Sequence, residues 1–272
     1  FQTDLKIWSF KEIAFEAEMN RHDDPDSVEV AYELCEEDPY SRTRNTEELR
    51  RLIYERGECN PPRTDDAFLL RFLRARKSIP ARAHRLVIET IICAVGSKQP
   101  KKFQANQLTR LWDPDKIPVE DLIRGCLLLL EIGIMQPKLQ ILGGTALMDC
   151  EGLTMRHIRS FSPTIASLSM NVLGYAFPLH QRGIHIVNIS RFFETLFPFF
   201  KRFAPADDLW QNVYFHGYDF TSLHKYIDPE CLPKRYGGHR EEVSLAMWLT
   251  KIKQYKNKEF DNDMRTLGYA TD

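Results

Sequence analysis

Ile184-His185-Ile186-Val187-Asn188-Ile189-Ser190-Arg191-Phe192-Phe193-Glu194-Thr195-Leu196-Phe197-Pro198-Phe199-Phe200-Lys201-Arg202-Phe203 joins a strand-like run to six of the chain's seventeen phenylalanines. At helical spacing the second half splits into two apolar stripes. Phe192, Leu196, Phe199 and Phe203 form one, and Phe193, Phe197 and Phe200 form the other on the adjoining face. A surface helix carries one apolar stripe and a polar back. A helix that is apolar nearly all round is either a plain core helix or an element with two greasy surroundings. The second case describes a lid, with one face on an apolar cavity and the other against a membrane.

Working outward, Gln140 to Met148 reads as a buried strand, then Asp149-Cys150-Glu151-Gly152-Leu153 and a helix from Thr154. A helix over Pro163 to Phe177 precedes the strand at Ile184 to Asn188. After the phenylalanines come a strand over Asn212 to His216, a helix or turn to Ile227, and a closing helix over Val243 to Asn257. Alternating strands and helices predict an α/β domain with mainly parallel strands. The N-terminal part reads differently. Residues 1–45 are polar and acidic, a peripheral arm. Thr46 to Glu55 is helical in pattern and is stopped by Gly57 and Pro61-Pro62. Thr64 is an N-cap candidate for a helix from Asp66 to Arg76, with Asp65 and Asp66 in its first turn, where the dipole favours carboxylates. That helix sets Phe68, Leu69, Phe72 and Leu73 on one side, and Arg71, Arg74, Arg76 and Lys77 around an exposed basic remainder. Pro80 opens another helix over Ala81 to Ile92, and Pro118 opens one that runs to Ile134. The expected organisation is an arm (1–45), a helical unit (46–111), an α/β domain (112–240) and a C-terminal helix and tail (241–272).

The 272 residues, 43% hydrophobic and 28% charged, describe an ordinary globular chain with a sizeable core. A formal net charge of -1 provides no global field to draw nucleic acid or anionic lipid. Six scattered cysteines without a Cys-x-x-Cys pair fit neither a disulfide scaffold nor a zinc site, and read as a reducing compartment. No charged-then-apolar leader opens the chain, and the longest uncharged apolar run, Gly125 to Leu130, is far short of the ~20 residues of a span. The expectation is a cytoplasmic protein.

A search for catalytic chemistry finds no Gly-x-Ser-x-Gly elbow, no Gly-x-Gly-x-x-Gly and no Gly-Lys-Ser/Thr loop. His180, His185, His216 and His224 lack the paired spacing of metal ligands. Cys150 and Arg156 match the Cys-x5-Arg of cysteine phosphatases, between a strand and a helix. Yet Asp149 and Glu151 flank the thiol, raise its pKa and repel a phosphate. No enzyme, no metal and no cofactor are expected.

Several motifs in order carry a resemblance. Thr64-Asp65-Asp66-Ala67-Phe68-Leu69-Leu70-Arg71-Phe72-Leu73-Arg74-Ala75-Arg76 is similar to the N-terminal helical signature of the CRAL-TRIO lipid-binding proteins. So are Trp112-Asp113-Pro114, Asp149 to Leu153, Phe177-Pro178 with Arg182 to Asn188, His216-Gly217, and Leu232-Pro233 ending in Tyr236-Gly237-Gly238. The branch resembled is that of α-tocopherol transfer protein and cellular retinaldehyde-binding protein, from about Glu47 to Gly238. The resemblance implies a helical N-terminal domain followed by an α/β domain whose sheet floors an apolar pocket closed by a mobile helix. It implies a non-catalytic carrier that takes one hydrophobic molecule, such as a tocopherol, retinoid or carotenoid, between membranes. The other reading is an interaction module with a vestigial pocket and a protein partner.

Carried over by position, the pocket wall comprises Ile123, Cys126, Leu130, Met148, Phe161, Val172, Leu173, Phe177 and Ile184. Phe193, Leu196 and Phe200 line the lid's inner side. Phe192 and Phe199, with Leu196 at the boundary, stand where the family touches membrane. Each wall position reads equally as ordinary core. A basic cluster for phosphoinositide headgroups is reduced here. Arg76 and Arg182 match it, His180 stands where a lysine is expected, and Asp208 and Asn212 replace two further basic positions. His180 adds a third contact only when protonated, linking docking to acidic pH. Lys201, Arg202, Lys234 and Arg235 offer a different basic patch. The segment Val87 to Gln107 is shorter than the family's. The protein is expected to be a monomer that meets membranes transiently.

Overall fold

The computed structural model describes residues 27–96, 112–171, 176–201 and 211–241, together with 262, 265 and 266. The expected closing helix over Val243 to Asn257 therefore lies outside the described residues. Among the described residues the first helices are α1 (Val28–Cys35), α2 (Arg42–Arg56), α3 (Asp66–Ala75) and α4 (Pro80–Gly96). Next come α5 (Val119–Ile134), α6 (Pro137–Leu142), β1 (Gly144–Asp149), α7 (Met155–Ser160), α8 (Pro163–Asn171), β2 (Gln181–Val187), α9 (Arg191–Lys201), β3 (Val213–Gly217) and α10 (Phe220–Leu223). Short 3-10 turns at Pro229–Cys231 and Lys234–Tyr236 follow. The three strands form one parallel sheet in the order β1-β2-β3. A helical unit leading into a parallel α/β unit is the architecture anticipated.

Helix α3 is the hub of the helical unit. Asp65, rather than Thr64, is its N-cap, and the Asp65 carboxylate accepts from the Phe68 N–H at 3.0 Å. Phe68, Leu69, Phe72 and Leu73 are buried against Leu49 and Ile53 of α2 and Ala83, Leu86 and Val87 of α4. Removing such side chains from water supplies about 1.5–3 kcal/mol each. The expected basic remainder of α3 is corrected. Arg71 and Arg74 are buried, not solvated. Arg71 donates to Glu131 of α5 at 2.8 Å and lies 4.1 Å over the Phe68 ring. Arg74 grips Glu37 at 2.6 and 3.1 Å and donates to Gln140 of α6 at 2.8 Å. Gln140 in turn donates to the Ile134 carbonyl at 2.8 Å. The reason lies beyond helical periodicity, because carboxylates brought from α5 and from the end of α1 neutralise both guanidiniums.

Within the segment read as an arm, α1 buries Ala31 and Cys35 beside Ile141, and α2 begins at Arg42, four residues before Thr46. The expected strand start at Gln140 is also corrected. Pro137 sits at the first helical positions of α6, and Gly143 ends that helix at φ 76°. A Cβ on Gly143 would come within 2.2 Å of the His180 carbonyl oxygen, so only glycine fits between the helix and β2. The strand therefore starts at Gly144.

Candidate functional site

Side chains alternate across a strand, and the register assigns each residue a face. Ala146 pairs with Ile184 and Ile184 with Val213; Met148 pairs with Ile186 and Ile186 with Phe215. These six share one face. Leu147, Val187 and Tyr214 share the other with His185 and His216. That back face is closed, since Val187, Leu223, Leu232 and Tyr236 are buried together with Leu147, Phe220 and Ile227 against them. On the front face Ile186 is 1% exposed, whereas Met148 is 48% exposed. Met148 and Ile184, both named from sequence, thus stand on the same front face. Ala146, Ile186, Val213 and Phe215 stand there too, and were missed; the strand alternation in sequence was the available signal.

The remaining wall residues come from separate elements. Ile123, Cys126 and Leu130 form one half-buried stripe along α5, and burial raises the Cys126 thiol above its ordinary range. Phe161 follows α7 and meets Trp112 edge-on, with centroids 6.1 Å apart. Phe177 is buried, 7% exposed. Val172 and Leu173 lie outside the described residues.

Helix α9 follows β2 through Asn188, which adopts φ 54° and donates to Asp149 at 2.8 Å. The Glu194 N–H donates to the Ser190 carbonyl at 3.1 Å and opens the helix. Pro198 sits inside it and cannot donate to the preceding turn. Phe192 is 58% exposed, while Phe193 and Leu196 are half-buried. The rings of Phe192 and Phe193 meet edge to face at 5.5 Å. The side chains of Phe199 and Phe200 lie outside those described.

A basic group forms at the other end of β2. Arg182 donates through Nε to the Leu142 carbonyl at 2.9 Å, and the His180 carbonyl accepts from the Gly144 N–H at 2.9 Å. Burial lowers the His180 pKa, and the positive charges of Arg182, Arg76 and Lys77 lower it further. The three residues named from sequence are therefore brought within electrostatic reach of one another. Lys77 joins them and was missed, although it directly follows Arg76. The turn that presents it is strained, with Lys77 at φ 54° and Ser78 at 53°. Asn45 donates to the Ser78 carbonyl at 3.2 Å, Ser78 donates to the Cys35 carbonyl at 3.0 Å, and Lys77 pairs with Glu36 at 2.9 Å. Asn212 is exposed, and Asp208 lies outside the described residues.

The Cys-x5-Arg match comes apart in space. Arg156 is engaged by Asp113, and by Asp115 at 3.1 Å. Burial, then the Asp149 charge, pushes the Cys150 thiol up to about 11, so it carries no thiolate at neutral pH. Asp149 itself is occupied. It accepts from Asn188, from the Glu151 N–H at 2.9 Å and from Tyr236 at 3.0 Å. Among the described residues no group of three or more His, Cys, Asp or Glu side chains is placed to hold a metal ion, and no helix is long and apolar enough to cross a membrane.

The helical unit is thus ion-paired to α5 through Arg71 and Glu131, and the small parallel sheet has one closed face and one apolar face partly exposed at Met148. The family model of the CRAL/TRIO domain matches residues 106–238. The chain belongs to the CRAL/TRIO family of lipid-binding proteins. It is 30% identical over 250 residues to an α-tocopherol transfer protein-like protein of Pongo abelii, covering 82% of this chain and 73% of that one. Clavesin-1 of Rattus norvegicus is 28% identical over 253 residues, covering 82% and 71%. Clavesin-2 of Homo sapiens is 28% identical over 273 residues, covering 88% and 81%.

Proposed function

We propose that this protein is a non-catalytic intracellular carrier that encloses one elongated, apolar small molecule and exchanges it at membrane surfaces. The observation carrying this reading is the asymmetry of the sheet. Its back face is sealed by a buried cluster around Val187 and Leu223, while the front face presents an apolar floor in which Met148 remains 48% exposed. Ile123, Cys126, Leu130, Phe161, Val172, Leu173, Phe177 and Ile184 supply the surrounding wall. On this reading Phe193, Leu196 and Phe200 form the inner side of the lid, helix α9. Each Å² of apolar ligand withdrawn from water is worth about 25 cal/mol, so a lined enclosure suffices to hold such a molecule in solution. The α-tocopherol transfer protein-like relative supports a ligand of the tocopherol kind.

Membrane contact is made by Phe192 and Phe199, with Leu196 at the edge. The anionic headgroup is met by Arg76, Arg182, Lys77 and, when protonated, His180. Phosphoinositide binding through this reduced cluster is weak at neutral pH and strengthens on acidification. Pro198 favours opening within α9, because the helix lacks one backbone hydrogen bond there.

Native mass spectrometry of the purified protein, with organic extraction of whatever is bound, tests the reading. A single stoichiometric apolar species is expected. Recovery of phospholipid alone contradicts it. An empty protein that also fails to take up tocopherol, retinal or carotenoid from vesicles would favour an interaction module instead.

A further inference from the structure

A pair of buried histidines is left unused by the carrier reading. His185 of β2 and His216 of β3 are 4% and 6% exposed and lie on the closed back face of the sheet. His185 Nδ1 is 2.9 Å from His216 Nε2, and His216 Nδ1 is 2.6 Å from Ser222 Oγ of α10. The two imidazole planes are 12° apart with centroids 5.2 Å apart, so the rings lie edge to edge along the bond they share. Tyr214 and Tyr226 cover His185, with ring centroids 5.0 and 5.3 Å away.

We propose that this pair is an acid-operated clasp between β2 and β3, closed in its neutral form and opened by proton uptake. The argument is one of counting protons. A ring nitrogen is either a donor or an acceptor, and imidazolium is a donor at both. The gap between the rings therefore accommodates one proton. In the neutral pair one ring donates across the gap and Ser222 completes the chain. A first added proton can reside on His216, which then donates to both His185 and Ser222, so the link survives. A second forces two N–H groups to face each other, and the bond is lost between two like charges. Protonation thus proceeds in two coupled steps.

The surroundings favour the closed form. Burial lowers the pKa of both histidines, and each depends on the other or on a neighbour. The charge of His216 further lowers His185, while Asp219, which caps α10, opposes the effect on His216. Asp219 is itself engaged by Thr221 and feels Lys225. From β1 the facing residue is Leu147, and among the described residues Gly183, Tyr214, Tyr226 and Ser222 lie on the remaining sides, none of them charged. Ile184 and Ile186, the residues on either side of His185, belong to the front face, so a loosened β2 disturbs the floor of the proposed pocket.

A side-chain NMR titration of the full chain tests this, with signals assigned from H185Q and H216Q. Two separate steps are expected, both below the ordinary histidine value of about 6.5. Amide protection across β2 and β3, corrected for the base-catalysed intrinsic exchange rate, should fall with the second step by up to roughly tenfold per pH unit, and H185Q should abolish that fall. Both histidines titrating together at the ordinary value would overturn the clasp. So would an acid-dependent loss of corrected protection that persists unchanged in H185Q. The wild-type titration decides alone if neither variant folds, and no arm requires a bound lipid, so the clasp and the carrier reading can fail separately.

Discussion

Glu37 is 2% exposed and receives both Arg74 and Arg42. At the scale of single residues, this cluster makes the sharpest stability prediction. Arg74→Leu leaves Glu37 and Gln140 short of a donor, and breaking a buried pair costs roughly 3–5 kcal/mol. Chemical denaturation should show that loss, and the double variant Arg74→Leu with Glu37→Leu should recover much of it. If the double variant is no better than the single, the pair is not the unit that matters. A second residue-scale prediction concerns His180. Its pKa is lowered by burial and by Arg182, Arg76 and Lys77, so it is neutral at pH 7 and charges only below the ordinary histidine value. Cosedimentation with phosphoinositide vesicles should rise as pH falls from 7.5 to 5.5. His180→Lys should raise binding at pH 7.5 severalfold and flatten the profile. A flat wild-type profile would remove His180 from the docking surface. None of these partnerships is written in helical periodicity. The pattern assigned Arg71 and Arg74 to a solvated side because it counts apolar residues, not distant carboxylates.

Among the elements, α9 is where sequence and structure meet most directly. The two-stripe reading anticipates different surroundings for adjacent phenylalanines, and Phe192 is exposed while Phe193 is half-buried. Phe192→Asp should therefore leave the midpoint of denaturation unchanged within experimental error. Its partition onto vesicles should drop about 10-fold or more, since burying one phenylalanine is worth roughly 1.5–3 kcal/mol. Phe193→Ala should instead lower the retention of an apolar ligand and cost some stability. Equal effects of the two substitutions would remove the distinction between inner and outer faces. The parallel sheet was equally legible as strand-helix alternation, apart from its first strand. The run Gln140 to Met148 is apolar enough for a strand throughout, and Pro137 and Gly143, which bound a one-and-a-half-turn helix, decided otherwise.

For the whole molecule, stability should depend on pH through three buried histidines. His84, His185 and His216 all have lowered pKa values, caused first by burial. A site whose folded pKa lies below its unfolded value binds more protons when unfolded, so folding stability rises with pH. Their contribution is complete above about 6.5 and is lost as pH falls below that value. Thermal unfolding should show Tm falling from pH 7.5 to 5, with little change from 7.5 to 8.5. Constant Tm over the lower range would contradict these burials. Ligand acts in the other direction. A molecule that binds only the folded state at 100 times its Kd adds about 2.7 kcal/mol, so Tm should rise by several degrees with tocopherol or retinal and stay constant with a soluble polar analogue.

By itself the sequence determined most of the helices and strands, though not α1 or α6, together with the parallel α/β class, the family resemblance and the phenylalanine-rich helix after β2. Each of these is a local pattern, set by side-chain spacing along one element. Tertiary structure alone decided which charges are buried, as with Arg71 on Glu131 and Arg74 on Glu37. It also decided which face of the sheet is closed, that Lys77 joins Arg76, His180 and Arg182, and that His185 meets His216. The two ion pairs and the histidine pair join residues 60, 37 and 31 positions apart, and no periodicity of one segment encodes its partner. Only packing, where desolvation has to be balanced by a hydrogen bond or an opposite charge, brings them together.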